Sequence, residues 1–526
     1  MFNLIKSATN FFTVLLFISC APQKNDKKNI IIILADDLGY SDLGYFGSEI
    51  STPNIDDLAG KGVVFTNFYS APSCAPSRAM LLSGNDNHMA GIGIQAFRSG
   101  NYGYEGSLSE RVKIIPEVLK ENGYNTFMSG KWHIGGDPFD RGFDKTFSLL
   151  PGAFTHYDNN KPIRGYPDTA FSLNGKKVLW EEGKYSTDVY TDKLIEFIDS
   201  SDDKPFFGYL SYTAPHWPLQ VDKIYSDKYV GVYDGGYEII KERRLNRMIK
   251  KGILQEGSNY RSKSLLSSWN NLSPYQKAIE SRKMEIYAGM ISNLDFNVGK
   301  LISFLESKEI LENTVIVFMS DNGAAAEDFY FNKTYGGYLK EKFTYDYDEM
   351  GSPKSFISIG KNWAEVITNP FKLYKGFTTS GGMRSPIIFY GIDNIESDIY
   401  DEFISVLDVA PTLYSLTQSD SEISVTGESI IPFLMKNQTY THDENYVFAF
   451  EHSGSSILIK DKWKIVNNSF PFNKDNFELY QLSDISEVNN LKNKQNEVYN
   501  SLINDWESFV LENRIILPTP YRDDLN

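Results

Sequence analysis

"NIIIILADDLGYSDLGYFG", Asn29 to Gly47, decides the fold. Its apolar run has no polar alternation, so neither face of the strand it forms is built to meet water. Such a strand belongs inside a parallel sheet covered on both sides by helices. The pattern returns downstream. "PEVLKENGYNTFMSGKW" (from Pro116), "VYTDKLIEFIDS" followed by "KPFFGYLSYTAPHW", and "MISNLDFNVGKLISFLESKEILENTVIVFMSDNG" each join a helical period to a strand-like run. This β-α-β rhythm predicts an α/β fold with a large central, mostly parallel sheet sandwiched by helices. Sites in such sheets lie beyond the carboxyl ends of strands, so the polar clusters that follow apolar runs carry the expected chemistry.

Asp36-Asp37 follows "IIIILA" and Asp321-Asn322 follows "TVIVFMS". Adjacent carboxylates at a buried sheet mouth repel one another and take up protons unless a cation compensates. Oxygen donors in this number suit a hard divalent ion, Ca²⁺ or Mg²⁺ rather than Zn²⁺. Asp-Asp-Leu-Gly and Asp-Asn-Gly are also turn sequences, but their shared place after apolar strands favours the metal. A third cluster is "SAPSCAPSRAMLLSG", Ser70 to Gly84, where one of only two cysteines sits among Pro, Ser and Arg. It reads as a loop entering a helix, with Pro76 in the first turn, where its missing N–H costs little. Helix starts favour anions. Arg78, one turn on, would orient a nucleophile or an oxyanion, or else form an ordinary surface ion pair.

The chain of 526 residues is long enough for two to three domains, and its 41% apolar and 23% charged content is that of a soluble globular protein. A net charge of −16 excludes sequence-independent binding to nucleic acid. The basic run "KERRLNRMIKK", Lys241 to Lys251, interleaves Leu245, Met248 and Ile249 and reads as an amphipathic surface helix. The opening "MFNLIKSATNFFTVLLFISC" has one Lys and an apolar run too short to span a bilayer, the shape of a secretory signal. Cys20, between a small residue and polar "APQKNDKKN", resembles the lipidation site of bacterial lipoproteins. The expected organisation is a lipoprotein-type signal (1–20), a polar tether (21–28), a large α/β domain carrying the strand-end clusters (29–437) and a C-terminal α+β subdomain (438–526). The last is read from the short strands in "YVFAFEHSGSSILIKDKWKIVNN" and "NFELYQLSDISEVNNL", an antiparallel sheet closed by a helix near Gln495 to Leu511. About Asp222 to Asn271 reads as an irregular insertion near the site. The signal implies export to a bacterial periplasm or outer-membrane surface, with Cys20 as lipid anchor. Cys74 then has no disulfide partner in an oxidising compartment.

"CAPSRAMLLSG" resembles the Cys-X-Pro-Ser-Arg segment of the type I sulfatases of the alkaline-phosphatase-like superfamily, in which a separate enzyme oxidises the cysteine to Cα-formylglycine. "ADDLGYSDLGYFG", "TPNIDDLAGKGVVFTNFY", "GYNTFMSGKWHIG", "APHWPL", "SDNG", "KGFTTSGGMRSP" and "FELYQLSDISEVNNL" resemble further family motifs in their usual order, and "SERVKIIPEVLKENGY" resembles the bacterial arylsulfatases. The resemblance implies a sulfuric ester hydrolase that cleaves a sulfate monoester, aryl or carbohydrate, through a formylglycine made from Cys74. It implies one Ca²⁺, with Asp36, Asp37, Asp321, Asn322 and an oxygen of modified Cys74 as ligands. Arg78 corresponds to the residue that holds the formylglycine hydrate, Lys131 and His133 to the Lys-x-His of the sulfate pocket, His216 to the later histidine and Lys375 to the second lysine. His88 is read as structural. Where family members often have Glu-Gly-Gly this chain has Ser380-Gly381-Gly382, a departure that bears on substrate contacts.

The implied chemistry suits these residues. Anionic oxygens shield the sulfur of a sulfate ester, so the metal, Lys131, Lys375 and Arg78 would offset their charge. One hydroxyl of the hydrate attacks sulfur, protonated His216 supplies the leaving alcohol's proton, and His133 deprotonates the second hydroxyl so that the sulfated hemiacetal collapses and releases sulfate. Taken alone, a lysine after a strand is usually a snorkelling surface group, and a histidine beside tryptophan a core group. The implied partners are a sulfate ester, a formylglycine-generating maturation enzyme and a membrane through Cys20. The rival readings are a formylglycine-dependent phosphonate or phosphodiester hydrolase and an inactive sulfated-glycan-binding protein. A two-zinc phosphatase is disfavoured, since strand-end histidines are few and Cys74 stands where Ser or Thr is expected. The acidic chain favours small esters or oligosaccharide ends over long sulfated polymers.

Overall fold

The computed structural model describes residues 27–157, 170–181, 183–257, 260, 266–419 and 423–517. The expected signal, Cys20 and most of the tether lie outside the described residues. Strands β1 (Asn29–Ala35), β2 (Val63–Tyr69), β3 (Asn125–Lys131), β4 (Lys145–Leu149), β5 (Phe171–Leu173), β6 (Lys176–Val178), β7 (Phe206–Ser211), β8 (Thr314–Ser320), β9 (Ile387–Tyr390) and β10 (Asp398–Ser405) form one ten-stranded sheet in the order β10-β2-β9-β8-β1-β7-β3-β4-β5-β6. The opening stretch forms the centre as expected, and every residue of β1 is buried. It runs parallel to β7 and β8, β3 runs parallel to β7 and β4, and β2 runs parallel to β10. Only β9, β5 and β6 pair antiparallel. The register aligns Ala35 with Ser320, Leu34 with Ser211, and Ser211 with Gly130. The residues that follow β1 and β8 therefore emerge beside the end of β3.

Helices cover both faces. The helix Pro274–Ser307, opened by a capping box between Ser273 and Gln276, packs on one side. The helices Cys74–Ser83, Ile115–Glu121 and Val409–Thr417 pack on the other. At one sheet edge β6 is only three residues long, with Lys176 and Lys177 exposed. At the other, β10 has a register break between Tyr400 and Phe403, and Thr441 Oγ1 donates to the Phe403 carbonyl at 2.7 Å.

The C-terminal reading holds in outline. Strands β11 (Val447–His452), β12 (Ser455–Lys460), β13 (Trp463–Asn467) and β14 (Glu478–Gln481) form a separate four-stranded antiparallel sheet. The helix Asn496–Glu512 buries Leu502, Ile503 and Trp506 near it. The region expected to be an irregular insertion is more ordered than its composition suggests, with helices Lys223–Ser226 and Tyr237–Lys250. The basic run lies on the second helix, whose buried Tyr237, Ile240, Arg244 and Met248 recur at helical spacing. Arg244 is not a solvated charge: it pairs with Asp42 and Glu49, at 2.6 Å each.

His88 ties the smaller sheet to the larger domain. Its Nδ1 lies 3.2 Å from Asp86 Oδ1 and its Nε2 3.1 Å from Glu451 Oε2 on β11, all buried. Burial opposes the imidazolium, but Asp86 and Glu451 outweigh it and raise the pKa from 6.5 to about 9. A raised folded-state pKa stabilises fully below the unfolded value and is lost as pH climbs through the folded one. His88→Gln is therefore expected to cost about 3 kcal/mol near pH 6, with the deficit shrinking as pH rises above 6.5 and largely gone past about 9. Urea melts of both proteins across that range check this, and a deficit independent of pH would contradict it.

Candidate active site

The strand ends place the expected residues together. The N–H of Asp36 donates to the Ala214 carbonyl and that of Asp321 to the Ala35 carbonyl, so each chain leaves its strand in a fixed direction. Asp37 and His133 then adopt positive φ, 64° and 66°, a conformation uncommon outside glycine and concentrated at functional sites. The helix Cys74–Ser83 is buried throughout and ends on Gly84 in the left-handed conformation, whose N–H bonds to Met80 O. Gln95 Oε1 fixes its entry, accepting from Ser73 Oγ at 2.6 Å and from the Ala75 N–H at 3.3 Å. Cys74 Sγ thereby lies 3.5 Å from Asp36 Oδ1 and 3.7 Å from Asp37 Oδ1.

Cations from other elements meet these carboxylates. Lys131, the last residue of β3, lies 2.6 Å from Asp36 Oδ2. Lys375 Nζ lies 2.7 and 2.9 Å from the two oxygens of Asp37. Arg78 donates from Nε and Nη2 to Asp321 Oδ2 at 3.0 and 2.8 Å, and from Nη1 to Ser211 Oγ and the Lys131 carbonyl. Arg78 and Lys131 are wholly buried, so the surface-pair alternative for Arg78 and the snorkelling alternative for Lys131 both fail. The side chains themselves thus supply part of the compensation that the sequence assigned to a metal alone. Asn322 Nδ2 donates to Asp37 Oδ1 at 2.6 Å, while its Oδ1 is buried with no partner.

His216 Nδ1 lies 2.7 Å from the Trp217 carbonyl and its Nε2 3.4 Å from Asp37 Oδ2. His133 presents a buried Nδ1 with no hydrogen-bond partner. Burial pushes the Cys74 thiol well above its ordinary pKa, and Lys131 and Lys375 only partly offset this. Burial, then Lys131 and Arg78, hold His133 well below the usual imidazole range. Burial likewise brings His216 down to about 3, against the pull of Asp37. Burial and Asp36 raise Asp321 to about 6 despite Arg78. Burial alone would raise Asp37, yet Lys375, His216 and Lys131 together carry it below the carboxylate range. Burial thus works against charge on the thiol and on both imidazoles.

Several contributors carried no sequence signal that was read. Ser211 orients Arg78 and was findable as the polar end of an apolar strand. His156, whose Nε2 lies 3.2 Å from the His216 carbonyl, follows no strand and was missed. Ser380 is fully buried: its N–H and Oγ bond Glu487 Oε1 at 2.9 Å, and Lys464 donates to its Oγ at 2.8 Å.

A nearly dry strand-end mouth with cations, an imidazole pair and a buried nucleophile position defines a hydrolase of anionic esters on an alkaline-phosphatase-like fold. The chain belongs to the sulfatase family, whose pattern its residues 28–419 match. It is 36% identical over 527 residues to an uncharacterised sulfatase of Schizosaccharomyces pombe, covering 94% of this chain and 95% of that one. It is 34% identical over 424 residues to the arylsulfatase of Klebsiella aerogenes, covering 78% and 91%. Among solved structures, Ps i-CgsB is similar with a TM-score of 0.67, 26% identity and 93% of each chain covered, and it has also been solved with k-i-k-neocarrahexaose. The putative sulfatase yidJ of Bacteroides fragilis shares the fold with a TM-score of 0.65, at 20% identity over 94% of this chain and 97% of that one. The protein is thus a sulfatase, an enzyme that hydrolyses sulfate esters.

A Cβ at Gly152 would sit 2.3 Å from His133 Nε2. Gly152→Ala must therefore displace the imidazole, and misplacement of that kind costs about 10²-fold in turnover. Steady-state hydrolysis and a thermal melt check this: turnover is expected to fall by about that factor with the melting temperature little changed, and unaltered turnover would separate His133 from the chemistry.

Proposed function

We propose that this sulfatase cleaves sulfate monoesters through a formylglycine made from Cys74, with Ca²⁺ held by Asp36, Asp37, Asp321, Asn322 and an oxygen of the converted residue. The observation that carries this reading is Cys74 itself, a protonated thiol 1% exposed and aimed at two carboxylates inside a cage of Arg78, Lys131 and Lys375. A thiol so placed is a poor nucleophile, whereas an oxygen function there joins the carboxylates as a hard donor. The orphaned Asn322 Oδ1 and the clustered carboxylate oxygens fit a hard cation. Bound calcium would supply positive charge against the sulfate oxygens.

The chain's own groups do the rest. Arg78, Lys131 and Lys375 oppose the charge of the bound ester. The Trp217 carbonyl can only accept, so it keeps the hydrogen of neutral His216 on Nδ1 and leaves Nε2 facing the site. An ester anion beside it favours the protonated imidazole, which then donates to the leaving alcohol oxygen. His133, neutral at rest and unpartnered at Nδ1, is suited to accept a proton. The same reading has the enzyme exported and lipid-anchored through Cys20, with a formylglycine-generating enzyme as its maturation partner. Its substrate is an aryl sulfate or a sulfated carbohydrate, supported by the arylsulfatase relative and by the carbohydrate complex of Ps i-CgsB.

The mass of the Cys74 peptide, from protein co-expressed with a maturation enzyme, tests the reading directly. An aldehyde or its hydrate is expected, with aryl sulfate cleaved faster than the matching phosphate ester. An intact thiol under conditions that mature a control sulfatase would overturn it. His216→Ala is expected to lose about 10²–10⁴-fold on alkyl or sugar sulfates and much less on activated aryl sulfates; equal losses on both would remove the acid role.

A further inference from the structure

Three of the residues assigned to calcium also belong to a cluster that carries a sulfur and a nitrogen donor. Among the described residues, one ligand atom each from Asp36, Asp37, Cys74 and His216 lie within 4.8 Å of one another, all buried. Cys74 Sγ is 3.5 Å from Asp36 Oδ1 and 3.7 Å from Asp37 Oδ1, and His216 Nε2 is 3.4 Å from Asp37 Oδ2. Zinc bonds of about 2.3 Å to sulfur and about 2.0–2.1 Å to nitrogen or oxygen, meeting at tetrahedral angles, separate ligand atoms by about 3.3–3.6 Å. The two Cys74 separations lie at or close to those edges, and His216 reaches the second oxygen of Asp37.

The hydrogen bonding also asks for a cation there. His216 Nδ1 lies 2.7 Å from the Trp217 carbonyl, which turns its Nε2 toward Asp37 Oδ2 at 3.4 Å. Asn322, wholly buried, adds an unpartnered Oδ1 from an amide that bonds Asp37. Thiolate and imidazole select zinc-like ions over calcium, and the nearby Arg78, Lys131 and Lys375 would offset the excess negative charge of two carboxylates and a thiolate.

We propose that a chain reaching this fold with Cys74 unconverted holds Zn²⁺ between Asp36, Asp37, Cys74 and His216, and that conversion removes this site by replacing its only sulfur ligand. On binding, the thiol proton passes to solvent and a zinc–sulfur bond forms, with no change of oxidation state. The zinc form is inert as a sulfatase, because the metal occupies both the nucleophile position and His216. The first half of the proposal stands on the thiol form alone. The second half rests on the formylglycine reading.

The test uses the full chain made without a maturation enzyme, stripped by a chelator and kept in excess Ca²⁺. Co²⁺ is titrated first, then Zn²⁺. A cobalt–thiolate charge-transfer band is expected, abolished by Zn²⁺, with one zinc retained per chain after gel filtration. Cys74→Ser should lose the band and weaken zinc retention by at least about 100-fold, and His216→Gln should keep the band and weaken zinc by at least about tenfold. The metal-free melting temperature of each variant shows that it folds, and the converted wild-type chain serves as a second sulfur-free form should Cys74→Ser fail to fold. An absent band, or equal zinc retention in the thiol and sulfur-free forms, overturns the proposal. Peptide mass separates the two readings: zinc binding with no aldehyde ever formed sinks only the formylglycine assignment, and an aldehyde with a zinc-blind thiol form sinks only this one.

Discussion

Asp36, Asp37 and Asp321 are carboxylates almost wholly removed from water, and the rest of the structure is arranged around meeting that demand. Desolvating a carboxylate costs several kcal/mol unless charge and hydrogen bonds compensate. Each is met by a cation from a different element: Lys131 from the end of β3, Lys375 from a loop before the Ser380 turn, and Arg78 from the buried helix. Arg78 also bonds Ser211 and the Lys131 carbonyl, so a single guanidinium joins the ends of β7, β3 and β8. The sheet register, the helix entry and the site are therefore one cooperative arrangement. Removing any partner leaves a buried charge.

The central strands were legible because their environment is uniform. A residue run buried on both faces must be apolar throughout, and β1 and β8 announce this without reference to any partner. The aspartates were legible for the same reason, as abrupt exceptions. What they pair with was not. Lys375 lies far from Asp37 in the chain, and nothing local marks a lysine that will be drawn into a nearly dry mouth. The net charge of −16 conceals a centre where three cations match three carboxylates, because composition sums the surface and the interior. His156 and Gln95 act through single long-range hydrogen bonds, a kind of contact that leaves no periodicity. Arg244 misled in the opposite direction, since Arg243, Arg247 and Lys250 on the same helix are exposed while it pairs inward, as Lys241 does with buried Glu365.

The smaller subdomain contributes to the larger one's interior. Glu451 reaches His88, and Glu487 with Lys464 meets Ser380, whose short helix also carries Gly381 and Gly382. Gly323, directly after Asn322, packs so closely on Gly381 that a Cβ would lie 2.1 Å from the Gly381 carbonyl oxygen. A chain of contacts thus runs from the antiparallel sheet through the glycine pair to the loop of Asp321 and Asn322. The division at about residue 438 is one of topology, while in packing the two parts share a core boundary.

The way the large sheet ends has a consequence for the protein in a crowded solution. β6 is too short, and too heavily furnished with exposed Lys176 and Lys177, to template another strand, and the register break in β10 together with the donor from Thr441 interrupts the other row of free carbonyls. A ten-stranded sheet with two open sides is in principle a seed for indefinite edge-to-edge growth. Here both sides are blunted by local chemistry, which works against the addition of a further strand at either edge.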